Sequence, residues 1–305
     1  MEAFVNTLVV FASPLLIAAI AGLVAERAGV LNVGLEGFML GGAFVAAWVG
    51  GGQGSIVGGL VAALVAGLAV GALYALVVVS LRGDQIAVGI AFNILVLGAT
   101  TYGYALVTGS AGQEALQTGR MGTIDVPVLD ALPIVGPVFD QPWLTYVGYA
   151  LVPVVFVVLF RTGLGIRLRA VGEYALGARA AGISVVRWRI AATAVSGMLA
   201  AMAGAYLVLA DTHQFVNNMS AGKGYIALAV IILGRWSPLG AVAAALLFGG
   251  AQALDLEAQS GSILGLEPPV ALVQTLPYVV TIVAVTLVGR RVRPPAEDGK
   301  PLALS

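Results

Sequence analysis

Apolar residues run along this chain in stretches of about 20, long enough at ~1.5 Å per residue to cross the roughly 30 Å hydrocarbon core of a bilayer. Taking such stretches between charges and turn signals predicts spans at 3–24, 29–50, 56–80, 86–108, 142–160, 190–210, 222–235, 238–256 and 270–289. Nearly continuous apolarity reads as helix, because a barrel would alternate apolar and polar positions over segments of about ten residues. Residues 222–235 are short for a crossing, which predicts a broken or tilted helix, or one that begins earlier, near Val216. The fold class expected is an all-α integral membrane bundle of about nine spans, within a range of about eight to ten, with some helices broken or short. The transmembrane domain is placed at 1–289 and a disordered-looking tail at 290–305.

Composition agrees. The 305 residues are 60% hydrophobic and 10% charged, against roughly 45–50% and about 25% in soluble domains. No water-soluble fold of this length hides that much apolar surface. The N-terminus lacks the basic segment and cleavage site of a signal peptide, so it reads as the first span. Gly 41 is high, which suits close helix crossings in lipid. Gly37/Gly41, Gly54/Gly58 and Gly67/Gly71 have the small-xxx-small spacing, although so many glycines produce some such pairs by chance. Cys is absent, and net charge is zero, which argues for neither nucleic acid nor an acidic partner. The single His213 cannot make a metal centre, so no cofactor is expected in this chain. These features point to a protein that moves a solute rather than transforming one.

Basic residues stay on the cytoplasmic side. The loop 161–189 holds Arg161, Arg167, Arg169, Arg179, Arg187 and Arg189 against one acid, Glu173, and the tail holds Arg290, Arg291, Arg293 and Lys300. Placing both inside puts the N-terminus outside and leaves only Arg120 and Lys223 of the basic residues on the outer side.

Polar residues inside spans need a reason, since a carboxylate at the bilayer centre costs roughly 2.5–3.5 kcal/mol. Glu36 is the clearest case, with Asn32 four residues and Gly29 seven residues earlier on one predicted helical face. Asn32 and Glu36 either face a pathway and hold a helix break beside it, or Glu36 pairs within the bundle. Asn93, in the fourth span, either lines the pathway or bonds between helices, and Phe92 beside it either stacks on a ring-shaped solute or packs. Asp211, Thr212, His213, Gln214, Asn217 and Asn218 sit at the expected external mouth, as vestibule or as solvated loop. In the loop 161–189, residues 173–181 read as one short helix with small residues on one side, ended by Gly182. Such a helix suits either a groove in another protein or a seat on anionic lipid.

Three segments carry a family resemblance. ERAGVLNVGLEGFMLGGAF (26–44) resembles the early signature of membrane permeases of bacterial ABC importers for nucleosides, within the wider group of ribose-type and branched-chain amino-acid permeases. GKGYIALAVIILGRWSPLGA (222–241) is similar to the late signature, and RLRAVGEYALGARAAGISVVRWR (167–189) to the segment that contacts the ATPase. Where ribose-type members carry Gly-Gly-Ile-Asp-Leu-Ser-Val-Gly, this chain has Leu31-Asn32-Val33-Gly34-Leu35-Glu36-Gly37, which favours the nucleoside branch over simple sugars.

The resemblance implies a multi-pass protein of the bacterial inner membrane, working with a second and non-identical permease, two ATPase domains and an external solute-binding lipoprotein. It makes the segment around Glu173, Tyr174, Ala175, Arg179, Ala180 and Gly182 the coupling helix, and it strengthens Asn32 and Glu36 as pathway-flanking. No Gly-x-x-x-x-Gly-Lys-Ser/Thr loop occurs, so ATP hydrolysis belongs to another subunit and this chain is no enzyme. A stand-alone secondary transporter would need a coupling-ion site, and Glu36 is the only deep acid. A membrane enzyme would need a catalytic cluster, and only Asp211 with His213 comes close.

Overall fold

The computed structural model describes residues 2–51, 54–109, 116–125, 136–259 and 293–301, with four isolated positions between the last two segments. Ten helices account for most of these residues: α1 (Glu2–Glu26), α2 (Leu35–Gly50), α3 (Ile56–Ala75), α4 (Gln85–Thr108), α5 (Trp143–Arg161), α6 (Gly163–Glu173), α7 (Ala175–Ala180), α8 (Val185–Tyr206), α9 (Lys223–Leu233) and α10 (Pro238–Gln259). Wider π turns extend α3 through Ser80 and α8 through Thr212. Among the described residues, six helical stretches are long and apolar enough to cross a membrane: Glu2–Glu26, Ile56–Ser80, Gln85–Thr108, Trp143–Arg161, Val185–Thr212 and Pro238–Glu257. The expected segment 270–289 lies outside the described residues, apart from the isolated positions.

Burial sorts the helices. α8 packs against α1, α2 and α3, and α1 also packs against α9 and α10. α3 and α4 instead turn large apolar side chains outward, among them Val61, Val65, Leu73, Ile94, Leu95 and Leu106. An apolar exterior around a packed interior is the pattern of a chain solvated by lipid.

Where α2, α3 and α8 cross, missing side chains set the spacing. A Cβ on Gly204 of α8 would stand 1.8 Å from the Met39 carbonyl oxygen of α2. A Cβ on Gly67 of α3 would stand 2.6 Å from the Gly197 carbonyl oxygen of α8. The pair Gly67/Gly71 therefore does seat α3 on α8, while Gly54 precedes α3 rather than lying within it.

Two predicted spans are broken. The expected helix at 29–50 begins only at Leu35; residues 27–34 run non-helically, with Gly29 at φ +80. Asn32 and Gly29 thus leave the helical face on which spacing had put them beside Glu36. The second break is α9, with 11 residues, which starts at Lys223 and not near Val216. The chain before it forms strand β4 (Gln214–Phe215), which pairs antiparallel with β1 (Leu116–Gln117); β2 (Thr123–Asp125) and β3 (Asp140–Pro142) form a second small ladder. At ~1.5 Å per residue, α2 and α9 each fall short of the roughly 30 Å core.

The short helix expected at 173–181 is α7, Ala175–Ala180, beginning two residues later than predicted. Glu173 closes α6, Tyr174 leaves the helical conformation at φ −154, and α7 follows. The tail also departs from expectation: residues 293–301 fold back onto the end of the bundle that carries α6 and α7, with the Glu297 amide donating to the Gly172 carbonyl at 2.9 Å.

Gly204→Ala pushes a methyl into a carbonyl of the facing helix. Overpacking of this kind costs about 1–3 kcal/mol, so the variant should unfold at lower temperature in a detergent thermal-shift assay. Gly98→Ala, at a site with nothing within 4 Å, is the matched control and should behave as wild type.

Candidate functional site

The two half-helices meet head to head at Glu36. Its carboxylate lies in the first turn of α2 and accepts hydrogen bonds from the N-terminal edge of α9: Ser220 Oγ at 2.6 Å, the Gly222 amide at 2.8 Å and the Gly224 amide at 2.7 Å. Helix N-termini carry unpaired N–H groups and partial positive charge, so one carboxylate between two of them is stabilised by both. The chain is shaped for this approach. Ala221 and Gly222 take positive φ of 43 and 84 to turn into α9, and a Cβ on Gly224 would stand 2.4 Å from the Glu36 nitrogen.

Asn93 of α4 binds the same junction together. Its Oδ1 accepts from the Gly37 amide at 2.9 Å, and its Nδ2 donates to the Val33 carbonyl at 3.0 Å and to the Tyr225 hydroxyl at 2.9 Å. One amide thus joins the segment 27–34, α2 and α9. Asn32, wholly buried, donates from Nδ2 to Ser196 Oγ of α8 at 2.9 Å, while its Oδ1 has no partner among the described residues. Phe92 packs on Phe38 and Tyr74, with ring centroids 4.6 and 5.3 Å away, and covers Gly34 and Gly37. The four residues singled out in the sequence therefore gather at one place. Lys223, expected on the outer side, lies close by, within electrostatic reach of both Asp211 and Glu36.

A second lock, not foreseen from composition, closes the other end of α9. The turn after α9 places Arg235 and Trp236 at φ +56 and +52, a left-handed conformation that costs non-glycine residues roughly 1–2 kcal/mol each. Glu26 and Arg27 hold it there. Glu26 accepts from the Trp236 indole N–H, and Arg27 donates to the Trp236 carbonyl from Nε at 2.9 Å and Nη2 at 2.6 Å. Arg27 also stands 4.0 Å from Glu173 and over the ring of Phe160, which ties α6 and α5 to the same turn. The signal was present in the two family signatures, which hold Glu26-Arg27 and Gly234-Arg235-Trp236; nothing in their linear order says that they touch.

The arm itself has a small core of Val171, Ala175, Ala178 and Val185. Glu173, Tyr174, Arg179, Ala180 and Gly182 face outward, Gly182 at φ +81 with open space around it. Ala175 is buried and belongs to the packed side.

The folded-back tail completes this end. Arg189, 1% exposed, donates from Nη2 to Glu297 Oε2 at 3.3 Å and from Nη1 to the Lys300 carbonyl at 3.5 Å. Gln85 donates to the Lys300 carbonyl at 3.2 Å and accepts from the Leu31 amide at 2.7 Å. Burial pushes the Asp298 carboxyl up to about 7, against the opposing pull of the Gly299 amide and Arg189.

Glu36→Gln puts an NH2 where one of three N–H or O–H donors points, leaving that donor unpaired at a cost of roughly 1.5–3 kcal/mol. Amide hydrogen exchange over 220–226 should accelerate while α5 keeps wild-type protection. The Asp298 shift has a defined sign. A carboxyl raised on docking favours the docked tail when protonated, so docking is strongest below the free value of 3.8 and weakens as pH climbs to about 7. Protease cleavage within 293–301 should therefore quicken between pH 5 and pH 8, on the order of tenfold per unit shift removed, and Asp298→Asn should flatten that dependence.

Comparison with known proteins agrees with this architecture. The chain is 34% identical over 302 residues to a guanosine ABC transporter permease protein of Bacillus subtilis, covering 96% of this chain and 93% of that relative. It is 33% identical to a nucleoside ABC transporter permease protein of Lactococcus lactis, covering 97% and 96%. A putative glucose ABC transporter permease protein of Haloferax volcanii matches at 34% over 86% and 79%. No solved structure matches the chain. The family described as the permease component of the branched-chain amino acid transport system matches residues 4–285, and a multi-pass helical membrane protein matched over that length belongs to it.

Proposed function

We propose that this chain forms one half of the translocation pathway of an ATP-driven importer for nucleosides in the bacterial cell membrane. The observation that carries the reading is end-to-end similarity to guanosine and nucleoside permease proteins, which covers both broken helices and the arm between them. The likeness to a glucose permease protein covers less of the chain, and the Leu-Asn-Val-Gly-Leu-Glu-Gly run at 31–37 departs from the ribose-type motif.

On this reading the chain crosses the membrane nine times, counting the two half-helices and the segment 270–289, within a permease domain at 1–289. The end holding α6, α7 and the tail is cytoplasmic, which keeps the arginines of 161–189 inside. Two guanosine permease proteins of one organism, Bacillus subtilis, both resemble this chain, at 34% and 27% identity, which supports a non-identical permease as its partner. Two ATPase domains supply the energy, and an external binding lipoprotein delivers the solute. The outward residues Glu173, Tyr174, Arg179, Ala180 and Gly182 form the face that meets an ATPase, with Ala175 beneath them. Asn32, Glu36, Phe92 and Asn93 flank the pathway: they hold open the break through which a polar solute passes, with backbone carbonyls and amides available at mid-membrane.

The test is uptake by the assembled complex in vesicles. Labelled guanosine should accumulate only with ATP, and excess nucleoside but not glucose should compete; equal competition by glucose would move the assignment to sugars. In the same assay Ala180→Trp enlarges the outer face without touching Val171, Ala175, Ala178 or Val185. It should lower uptake about tenfold, the scale of a typical coupling free energy, at unchanged protein level.

A further inference from the structure

We propose that the groove between α4, α6, α8 and the segment 27–34 is a docking site for the chain's own residues 293–301, which serve there as a releasable latch on the coupling arm. This rests on the importer reading above.

The occupant is visible in the groove. Its backbone pairs with α6 through Glu297 and Gly172, and its side chain and Lys300 carbonyl pair with Arg189 at the start of α8. The same carbonyl pairs with Gln85 at the start of α4, and Gln85 in turn holds Leu31. Asp298 faces Glu26 from α1 and Arg189 from α8, beside Glu297 of its own segment. A single short peptide thus bridges the arm and the base of the first broken helix, two parts that must shift relative to each other when an ATPase pushes the arm.

The chemistry of the seat is that of a contact made to be broken. Of the residues 293–301 only Pro295 is buried. The seat offers the Gly172 carbonyl, the Gln85 amide and the Arg189 guanidinium, with the Leu31 side chain beside Gly299, so undocking uncovers little apolar surface and leaves groups that water can satisfy. A segment meant to stay would present large apolar anchors. The cost of leaving falls on Arg189: among the described residues its only acid partner within salt-bridge distance is Glu297. The guanidinium therefore holds the latch by charge, and the latch in turn lets an arginine be buried.

The chain has no cysteine, which makes a trapping experiment clean. A Cβ at position 299 would stand 4.0 Å from Leu31 Cβ, inside the roughly 3.5–4.5 Å range of disulfides. In the complete complex, Leu31→Cys with Gly299→Cys should lose about tenfold in uptake on oxidation, a typical coupling magnitude, and recover on reduction. Deletion of 293–305 and Glu297→Gln should each raise solute-independent ATP hydrolysis about threefold or more, the scale of a coupling change near 0.7 kcal/mol. The exchanged pair Arg189→Glu with Glu297→Arg should return hydrolysis toward wild type. Full uptake with the cross-link quantitatively formed, or unchanged basal hydrolysis in the deletion, overturns the latch. Because the cross-link is reversible, a folding defect shows as loss under both conditions and counts against the docking geometry. Hydrolysis and cross-linking need no nucleoside, so they judge the latch even if guanosine uptake by wild type fails and sinks the substrate assignment.

Discussion

The carboxylate of Glu36, placed between the N-termini of two helices that each stop partway, is the constraint on which this molecule depends. A half-helix ending inside a membrane exposes N–H groups that lipid cannot satisfy, and each one left bare costs several kcal/mol. Glu36 answers for α9 with three hydrogen bonds, and its charge is repaid by the two helix dipoles that converge on it. Asn93 does for the segment 27–34 what Glu36 does for α9. The breaks are therefore stable parts of the fold and not frayed helices.

From that junction the rest can be followed outward. α9 is held at its N-terminus by Glu36 and at its far end by Glu26 and Arg27, so both ends answer to the same short stretch of chain, 26–36. Arg27 passes the connection to Glu173 and so to the arm. α8 stands behind all of this, and the close glycine contacts with α2 and α3 leave no side-chain layer to absorb a shift.

Much of this was legible in the sequence, for reasons that also mark the limits. Apart from α6 and α7, the described helices fall on the predicted apolar stretches because lipid solvation imposes a minimum run length that is easy to read. Glu36, Asn32 and Asn93 stood out because polar groups in lipid need partners, Phe92 because its ring lies beside Asn93, and the four do converge. A helix break beside Asn32 and Glu36 was one of the two readings of those residues, but its extent before Leu35 was not legible, since Val30, Leu31 and Val33 are as apolar as any helical run. The helix expected at 173–181 is present as α7, but it starts at Ala175 because Tyr174 leaves the helical conformation, with its ring lying over Gly177. The tail looked disordered on its prolines and charges, yet its Glu297 carboxylate and Lys300 carbonyl have partners, Arg189 and Gln85, far away in the sequence. Long-range polar pairing is the information that a linear pattern does not hold.

The partnership of Arg189 and Glu297 spans 108 residues, and this has a consequence for how the protein is made. Arg189 enters the membrane with α8 long before Glu297 leaves the ribosome. Throughout that interval the nascent bundle carries an arginine whose acid partner does not yet exist, at a site that the finished protein keeps from water. The Arg189 contact at the end of the bundle that carries α6 and α7 is therefore completed only after Glu297 has been made.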